Sequence, residues 1–504
     1  MLALSACNAT GTASLPTSSP QPTATLTPTL APSPTPLPTD TPPPTPTLTP
    51  VPPTPTPDLP RANTPDLSKL GSGWAAFSYT LQAGEDLGNI AARYGLSYDQ
   101  IRAANGFVGG ETLYPGQVIL IPQVIKQAGP SFKIIPDSEA VYGPGVIGFD
   151  TISFVAGYAE GYLNKYSEMV DGVPVGGAAL VQRAAENYSV NPRLLLALLE
   201  YQSGWLTQSD PTDKLYPFGR AEGGTEGLYR QLQWAANALN RGFYEWRDGS
   251  LSLLILSDGT RVGIDPGLNA GTAAAQYVFA LTRKVNEWQT AVGPDGLYHR
   301  YSNLFGYPFA YALEPLVPVS LSQPALALPW QTGETWFFSG GPHASFGAGS
   351  PWGAIDFLPP GNESGCAVSP YWVTAMAPGV VARSNNGQLL LDLDGDGFEQ
   401  TGWVILYLHI AAQDRAPAGL TLTEGNPIGH PSCEGGSAKD AHVHIARKYN
   451  GVWLAVDGGA AVAPFVMGDY TVYSGGLEYN GSMQFGQFYK ASCACRNESN
   501  AVTK

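Results

Sequence analysis

The segment DAHVHIA, residues 440–446, limits the fold more than any other stretch of the chain. Residues two apart in a strand point to one face, so His442 and His444 can share a site only if this segment is extended and lies in a sheet. Five of the six histidines fall between Gly341 and Tyr449, among them His343 in GPHASFGAGSPWGAIDF, which also holds Asp356, and His409 in WVILYLHI. Imidazoles grouped with a carboxylate point to zinc, which in catalytic sites takes three protein ligands and keeps a fourth position open. A hydrolase built on such an ion also needs imidazoles outside the ligand set, to take a proton and steady developing negative charge. His299 and His430 stand apart and read as structural.

The segments FSGGPHASFGAGSPWGAIDF, VTAMAPGVVARS, ILYLHI, GNPIGH and SCEGGSAKDAHVHIARKYNGVW follow one another over roughly residues 328–460. In that order they resemble the lysostaphin/LytM-type zinc endopeptidases of peptidoglycan, in their beta-lytic metallopeptidase branch. The resemblance implies Zn2+ held by His343, Asp356 and His444, with His409 and His442 as the catalytic pair. It also implies small residues, Gly or Ala, beside the bond that is cut. Most of that family has its first histidine four residues before the aspartate, where this chain has Trp352. His343 lies thirteen residues before Asp356, the long spacing of the beta-lytic branch, which reads as a loop inserted between two ligands.

At 504 residues the chain exceeds one typical core, so several domains are expected. Its net charge of −15 argues against nucleic acid or an anionic membrane surface as a direct partner. Residues 1–7 end in Leu4-Ser5-Ala6-Cys7, which resembles the remnant of a bacterial lipoprotein signal, with Cys7 as the lipidation site. No stretch reaches the about 18 apolar residues of a membrane span, so a lipid anchor is the expected membrane attachment. Residues 8–70, rich in Pro, Thr and Ser, cannot bury a core and read as an extended, solvated linker. Fully extended, such a linker reaches on the order of 150 Å. These features predict an exported protein, anchored at the outer face of the bacterial cytoplasmic membrane or held in the cell wall.

Residues 77–122 contain YTLQAGEDLGNIAARYGLSYDQIRAANGF and LYPGQVILIP, which resemble a LysM domain: strand, two short helices, closing strand. Ile90, Ala91 and Tyr94 form one apolar stripe, Ile101 and Ala104 another, and Asn105-Gly106 stops the second helix. The resemblance implies binding of N-acetylglucosamine-containing glycans through Gly84, Asp86, Leu87, Asn105 and Gly106.

Residues 145–320 read as a mostly helical region. Asn191-Pro192 opens a buried helix, RLLLALLEYQSGW. Further helices are expected at 178–188, 226–246 and 270–290, with a hairpin near SLLILSDGTRVGI. The region resembles the lysozyme-like fold of lytic transglycosylases, in which a glutamate directly precedes Ser-Gly; here Gln202 stands there. Glutamine cannot donate the acid proton of glycoside cleavage, so this region reads as a glycan-binding or spacing module. A glycosidase would have to recruit Glu200 or Glu222.

The third expected unit spans residues 325–465, a mostly β, antiparallel peptidase domain, followed by an extension over 466–504. Within it, Asp392, Asp394 and Asp396 resemble the start of a Ca2+ loop, although position 12 is Trp403; the same run also reads as a polar hairpin turn. Cys366, Cys433, Cys493 and Cys495 allow three disulfide pairings. The fold expected is therefore multidomain: a small α+β LysM domain, a mostly α middle and a mostly β C-terminal domain. The function expected is peptidoglycan endopeptidase, with glycan strands and peptide stems as partners. The alternatives are a non-catalytic wall scaffold or amidase activator, and a lytic glycosidase.

Overall fold

Local sequence signals account for the first elements. Strand β1 (Trp74–Thr80) pairs antiparallel with β2 (Val118–Val124), and helices α1 (Leu87–Tyr94) and α2 (Tyr98–Ala104) lie between them in sequence. Asp86 caps α1 by accepting the Asn89 N–H at 2.9 Å, Gly95 ends it at φ +69°, and Ser97 with Gln100 forms a capping box on α2. Ile90, Ala91, Ile101 and Ala104 are buried, as their spacing predicts. The computed structural model describes residues 67–109, 113–125, 127–361, 365–458 and 462–504. Cys7 and nearly all of the Pro/Thr-rich linker lie outside them; the linker's last residues, Leu67–Leu70, form a 3-10 turn and not coil.

Two of the expected glycan-binding residues turn inward. Leu87 is 4% exposed and belongs to the small core with Ile119 and Ile121. The Asn105 amide donates to the Ile101 and Leu120 carbonyls, both at 2.8 Å, and accepts the Leu120 N–H at 2.7 Å, so its hydrogen-bonding capacity is spent inside the domain. Gly84 and Gly106 supply left-handed turns at φ +83° and +66°.

The helical region comprises α3 (Thr151–Ala156), α4 (Tyr162–Lys165), the hairpin β3 (Ser167–Val170) and β4 (Val173–Gly176), α5 (Gly177–Tyr188), α6 (Pro192–Ser203), α7 (Leu228–Arg247), the hairpin β5 (Leu253–Ile255) and β6 (Arg261–Gly263), α8 (Ala270–Thr282), α9 (Val285–Ala291) and α10 (His299–Phe305). Asn191 caps α6 by accepting the Arg193 N–H at 2.9 Å, with Pro192 in the first turn. The expected helix at 270–290 is two helices. The β5–β6 turn captures the groups that would continue it: Ser257 N–H donates to the Arg283 carbonyl at 3.2 Å and the Asp258 carboxylate takes the Val285 N–H at 3.1 Å. No helix among the described residues is long and apolar enough to cross a membrane.

Glu200 and Gln202 are both bound within this region. Glu200 is 3% exposed and accepts the Leu206 and Thr207 N–H groups, at 2.8 and 3.2 Å, closing the turn after α6. Gln202 is bound to the Arg283 guanidinium and donates to the Phe218 carbonyl at 3.3 Å. Glu222 is exposed and paired with Arg220.

Strands β7 (Thr335–Ala344), β8 (Trp352–Leu358), β9 (Val373–Thr374), β10 (Gly379–Asn385), β11 (Gln388–Asp392), β12 (Trp403–Leu408), β13 (Thr421–Leu422), β14 (Pro427–Gly429), β15 (Val443–Tyr449) and β16 (Val452–Trp453) follow. Then come β17 (Val466–Met467), β18 (Tyr470–Ser474), β19 (Gly481–Phe485), β20 (Phe488–Ala491) and β21 (Ala501–Thr503). An antiparallel sheet runs β13-β10-β11-β12-β15-β8-β7-β21, with β16 paired to β15. The stretch read as an extension is thus built in: β21 pairs with β7, and β17 to β20 form a second small sheet.

Alternation assigns the two faces of the large sheet. Ile355, Phe357, Ile405, Tyr407, Val443 and Ile445 point into a core closed by Trp330, Trp336, Phe465 and Met483. Ala354, Leu390, Val404, Leu406 and Ala446 point the other way and share one core with α5 to α8. The helical region therefore covers part of the face that also bears His442 and His444.

Candidate metal centre

Along one face of β15 stand His442, His444, Ala446 and Lys448 in turn, with His442 the residue just before the strand. The register sets His444 opposite Asp356 of β8 on one side and Leu408 of β12 on the other. Strand pairing alone thus brings an imidazole beside a carboxylate. His343 arrives from β7, whose register with β8 shifts three times between Phe338 and Ala344. Such bulges bend a strand and re-aim its side chains. Gly340 is obligatory here, because a Cβ would lie 2.5 Å from Asp356 Oδ2.

His343 Nε2, His444 Nδ1 and Asp356 Oδ1 form a small triangle. The two nitrogens are 2.9 Å apart and lie 3.3 and 3.2 Å from the oxygen. The opposite ring nitrogens are committed: His343 Nδ1–H donates to the Gly341 carbonyl at 2.8 Å and His444 Nε2–H to the Ser345 carbonyl at 2.9 Å. Both rings are thereby fixed as tautomers that aim lone pairs at one point. Asp356 Oδ1 is buried and has no hydrogen-bond partner. Three inward-facing donors at these separations call for a cation. Around tetrahedral zinc, donors at about 2.0–2.1 Å stand about 3.3 Å from one another, which fits the triangle.

The electrostatics agree. Burial would push the Asp356 carboxyl up, but the adjoining His343 and His444 hold it well below the usual carboxylate range. Burial pulls His343 down, but the Asp356 charge, the hydrogen bonds to Asp356 and the Gly341 carbonyl and the Glu478 charge together raise the imidazole above its ordinary value. For His444 burial prevails and the shift is downward.

The other two imidazoles adjoin the triangle without joining it. His409, at the end of β12, holds a left-handed backbone at φ +66°, a strained conformation for histidine. Its Nδ1–H donates to the Glu434 carbonyl at 2.9 Å, and its own carbonyl accepts Ser432 N–H at 2.7 Å. Burial, then the neighbouring His442 and His444, push His409 down to about 3, so it is neutral. His442 Nδ1–H donates to the Asp440 carbonyl at 2.8 Å, its ring centre is 4.5 Å from that of His409, and its Nε2 is 3.8 Å from Asp356 Oδ1. Among the described residues, neither Nε2 has a hydrogen-bond partner. The Cys366–Cys433 disulfide ties the loop that supplies both carbonyls to the loop of Gly365, whose N–H donates to Asp440 Oδ1 at 2.8 Å. Cys493 pairs with Cys495.

Sequence reasoning missed Tyr479, on the β18–β19 turn. Its ring stacks on His343 at 4.2 Å between centres, and its backbone exchanges hydrogen bonds with Gly341 and Pro342. Burial, then the charges of Asp356 and Glu478, push its phenol up to about 12. Trp352 pairs with Ala344 and opens β8, and the long ligand spacing is the loop Ser345–Pro351. His299 is exposed on α10, and His430 packs against Trp372 and donates to the Tyr371 carbonyl.

Asp392, Asp394 and Asp396 occupy the turn between β11 and β12, their oxygens within 4.8 Å of one another. Asp392 accepts the Asp394 and Gly397 N–H groups at 3.0 and 2.7 Å, and Asp396 accepts Phe398 N–H at 2.8 Å. Asp392 and Asp396 thereby serve the hairpin turn. Burial, then the adjacent Asp392, raise Asp394 to about 6.

A carboxylate and two imidazoles whose donor atoms lie close enough together to hold a metal ion, with two further imidazoles alongside, mark this as a candidate metal centre. Residues 79–122 match the LysM domain family, and residues 133–318, the region read as lysozyme-like, match the LasA N-terminal domain family. The chain is 28% identical over 323 residues to Protease LasA of Pseudomonas aeruginosa, a match covering 60% of this chain and 72% of that protein. It is 50% identical over 48 residues to the Probable autolysin SsaALP of Staphylococcus aureus, 10% of this chain and 18% of that one. Among solved structures, the M23 metalloprotease pseudoalterin from the deep sea aligns at 22% identity over 36% of this chain and 99% of its own, TM-score 0.28. The catalytic domain of lysostaphin from Staphylococcus simulans aligns at 22% identity over 23% and 81%, TM-score 0.17. The resemblance carried by the sequence motifs holds to this extent: the chain is similar to Protease LasA, a peptidase, over most of both chains, and it carries a LysM domain.

Proposed function

We propose that the protein is a zinc metalloendopeptidase that hydrolyses peptide bonds in the stem or cross-bridge peptides of peptidoglycan. The observation that carries this reading is the convergence of His343, Asp356 and His444 on one point, with the free Nε2 atoms of His409 and His442 beside it. His343, Asp356 and His444 would hold Zn2+, which when bound serves as a Lewis acid toward water and the scissile carbonyl. His442, the more exposed of the catalytic pair, accepts the proton of the attacking water at Nε2 and then passes it to the leaving amine. His409, neutral and buried, orients that water through its own Nε2. The Glu434 and Asp440 carbonyls hold both rings in the tautomer these roles need. The cysteines of this region are paired and offer no thiolate, which agrees with direct attack by water.

The LysM domain would hold the enzyme on glycan strands, and a lipid at Cys7 would be its tie to the membrane in an exported, wall-directed protein. The intact donor set favours an enzyme over a scaffold or amidase activator. The commitment of Glu200 to the turn after α6, with Gln202 where a catalytic acid would stand, disfavours a glycosidase.

The test is digestion of purified peptidoglycan by the zinc-loaded protein, counting new amino groups and new reducing ends in the same samples. New amines without reducing ends are expected, and mass spectrometry of the fragments names the bond. Reducing ends would transfer catalysis to the helical region. Neither product, with binding retained, would leave a scaffold.

A further inference from the structure

The loop inserted between His343 and Asp356 is gripped at both ends. Ser345–Pro351 folds back on itself: Ser345 N–H and Oγ–H both donate to the Pro351 carbonyl, at 3.0 and 3.1 Å, and Phe346 N–H donates to Ser350 Oγ at 2.9 Å. Its inner end faces the metal centre. Ser345 is fully buried, and its carbonyl accepts the His444 Nε2–H bond that leaves Nδ1 for a metal.

The outer end lies on the helical region. Gly349 N–H donates to Asn237 Oδ1 of α7 at 3.0 Å. Phe346 meets Tyr188, the last residue of α5, edge-on with 5.1 Å between ring centres. The approach is backbone-close: a Cβ on Gly349 would overlap the Asn237 carbonyl, and one on Gly347, at φ +73°, would lie 2.5 Å from both Asn237 Oδ1 and Tyr188 Cε1. A seven-residue loop tied across its own neck moves as a piece, so what fixes Gly349 also fixes Ser345.

We propose that the helical region sets the affinity of the metal centre through this loop, with Asn237 as the positioning residue. Asn237 holds Gly349, the loop holds Ser345, and Ser345 holds the orientation and tautomer of His444. The segment that lengthens the ligand spacing is thus the handle by which one domain steadies a site built in another. The inference rests on the zinc reading of His343, Asp356 and His444.

The experiment is Zn2+ binding to the full chain by competition with a chromogenic chelator, alongside thermal unfolding of the metal-free proteins. Asn237→Ala should bind zinc about tenfold more weakly, in the range of outer-shell substitutions, with near-UV circular dichroism unchanged, and Gly349→Ala, whose Cβ would overlap the Asn237 carbonyl, should weaken binding at least as much. Asn237→Asp, which keeps the acceptor for Gly349 N–H, should stay within about threefold of the wild type. Tyr244→Phe is the control, because Tyr244 Oη accepts Trp453 N–H at 2.9 Å in the same domain contact but away from the loop. It should leave zinc affinity unchanged. Wild-type affinity in both Asn237→Ala and Gly349→Ala would overturn the proposal. So would an equal loss in Tyr244→Phe, which would make the effect one of general stability. A wild-type protein that takes up no zinc would defeat the metal reading itself, and this inference with it.

Discussion

The two ends of one strand face in β15 carry buried charged clusters of opposite character. At the Lys448 end, both oxygens of Glu399 are taken: Arg383 donates from Nε at 2.6 Å and Nη2 at 3.2 Å, and Lys448 from Nζ at 2.8 Å. Arg383 also reaches Gln388 at 3.1 Å, and Gln388 donates onward to Asn187 on α5 at 2.8 Å. At the His444 end, about 14 Å along the strand, Asp356 Oδ1 is buried with no partner and two imidazole lone pairs face each other. The first cluster is complete within the protein and fastens the sheet to a helix. The second is complete only with a cation. Burial of charge therefore does not mark function here; unmet demand does.

That contrast breaks if substitutions at the two ends have similar consequences. The largest effect expected is at the incomplete end: His444→Ala should lose zinc and all hydrolysis, measured by metal analysis and amine release, while the metal-free protein unfolds near the wild-type temperature. His442→Ala should lower hydrolysis by about 10²–10⁴-fold, the range for a general base, yet keep its zinc. Equal metal loss in both variants would undo the division between ligands and catalytic pair.

At the complete end the readout should be stability. Glu399→Gln leaves two buried cations short of a partner and should cost about 3–5 kcal/mol in denaturant unfolding, with zinc affinity unchanged. The pH dependence sharpens the point. Burial would raise the Glu399 carboxyl, but Arg383 and then Lys448 lower it from 4.5 to about 2. A carboxyl depressed in the folded state stabilises the protein above its unfolded value, and that contribution is lost as pH falls from 4.5 towards 2. Acid unfolding of the wild type should steepen in that window, and Glu399→Gln should lack the added slope. The smallest effect expected is that of Tyr479→Ala, which removes the ring stacked on His343 and should weaken zinc binding a few-fold, since such ring contacts contribute about 0.5–1.5 kcal/mol.

Much of the site was legible because its chemistry follows short-range rules. His442 and His444 share a face because strand alternation leaves no other choice, and the thirteen-residue spacing is the loop it was read to be. Asn191-Pro192 starts a helix through local capping. What stayed hidden depends on partners far away in sequence. Tyr479 reaches His343 from a stretch without a motif, and Asn237 reaches Gly349 across 112 positions. The break after Thr282 has no glycine or proline to announce it; a distant turn captures the backbone there. Asn105 and Leu87 sit at positions a sequence pattern marks, and nothing in the pattern says whether a side chain faces a ligand or its own core.

Because His442, His444, Ala446 and Lys448 share one face of one strand, they answer to a single setting. A one-residue slip of β15 against β8 and β12 would turn all four to the opposite side at once, removing both imidazoles from the candidate centre, the seat of the helical region and the cation for Glu399. A chain paired out of step therefore has neither domain contact nor active centre. The arrangement of these four side chains thus doubles as proof that the sheet has been threaded correctly.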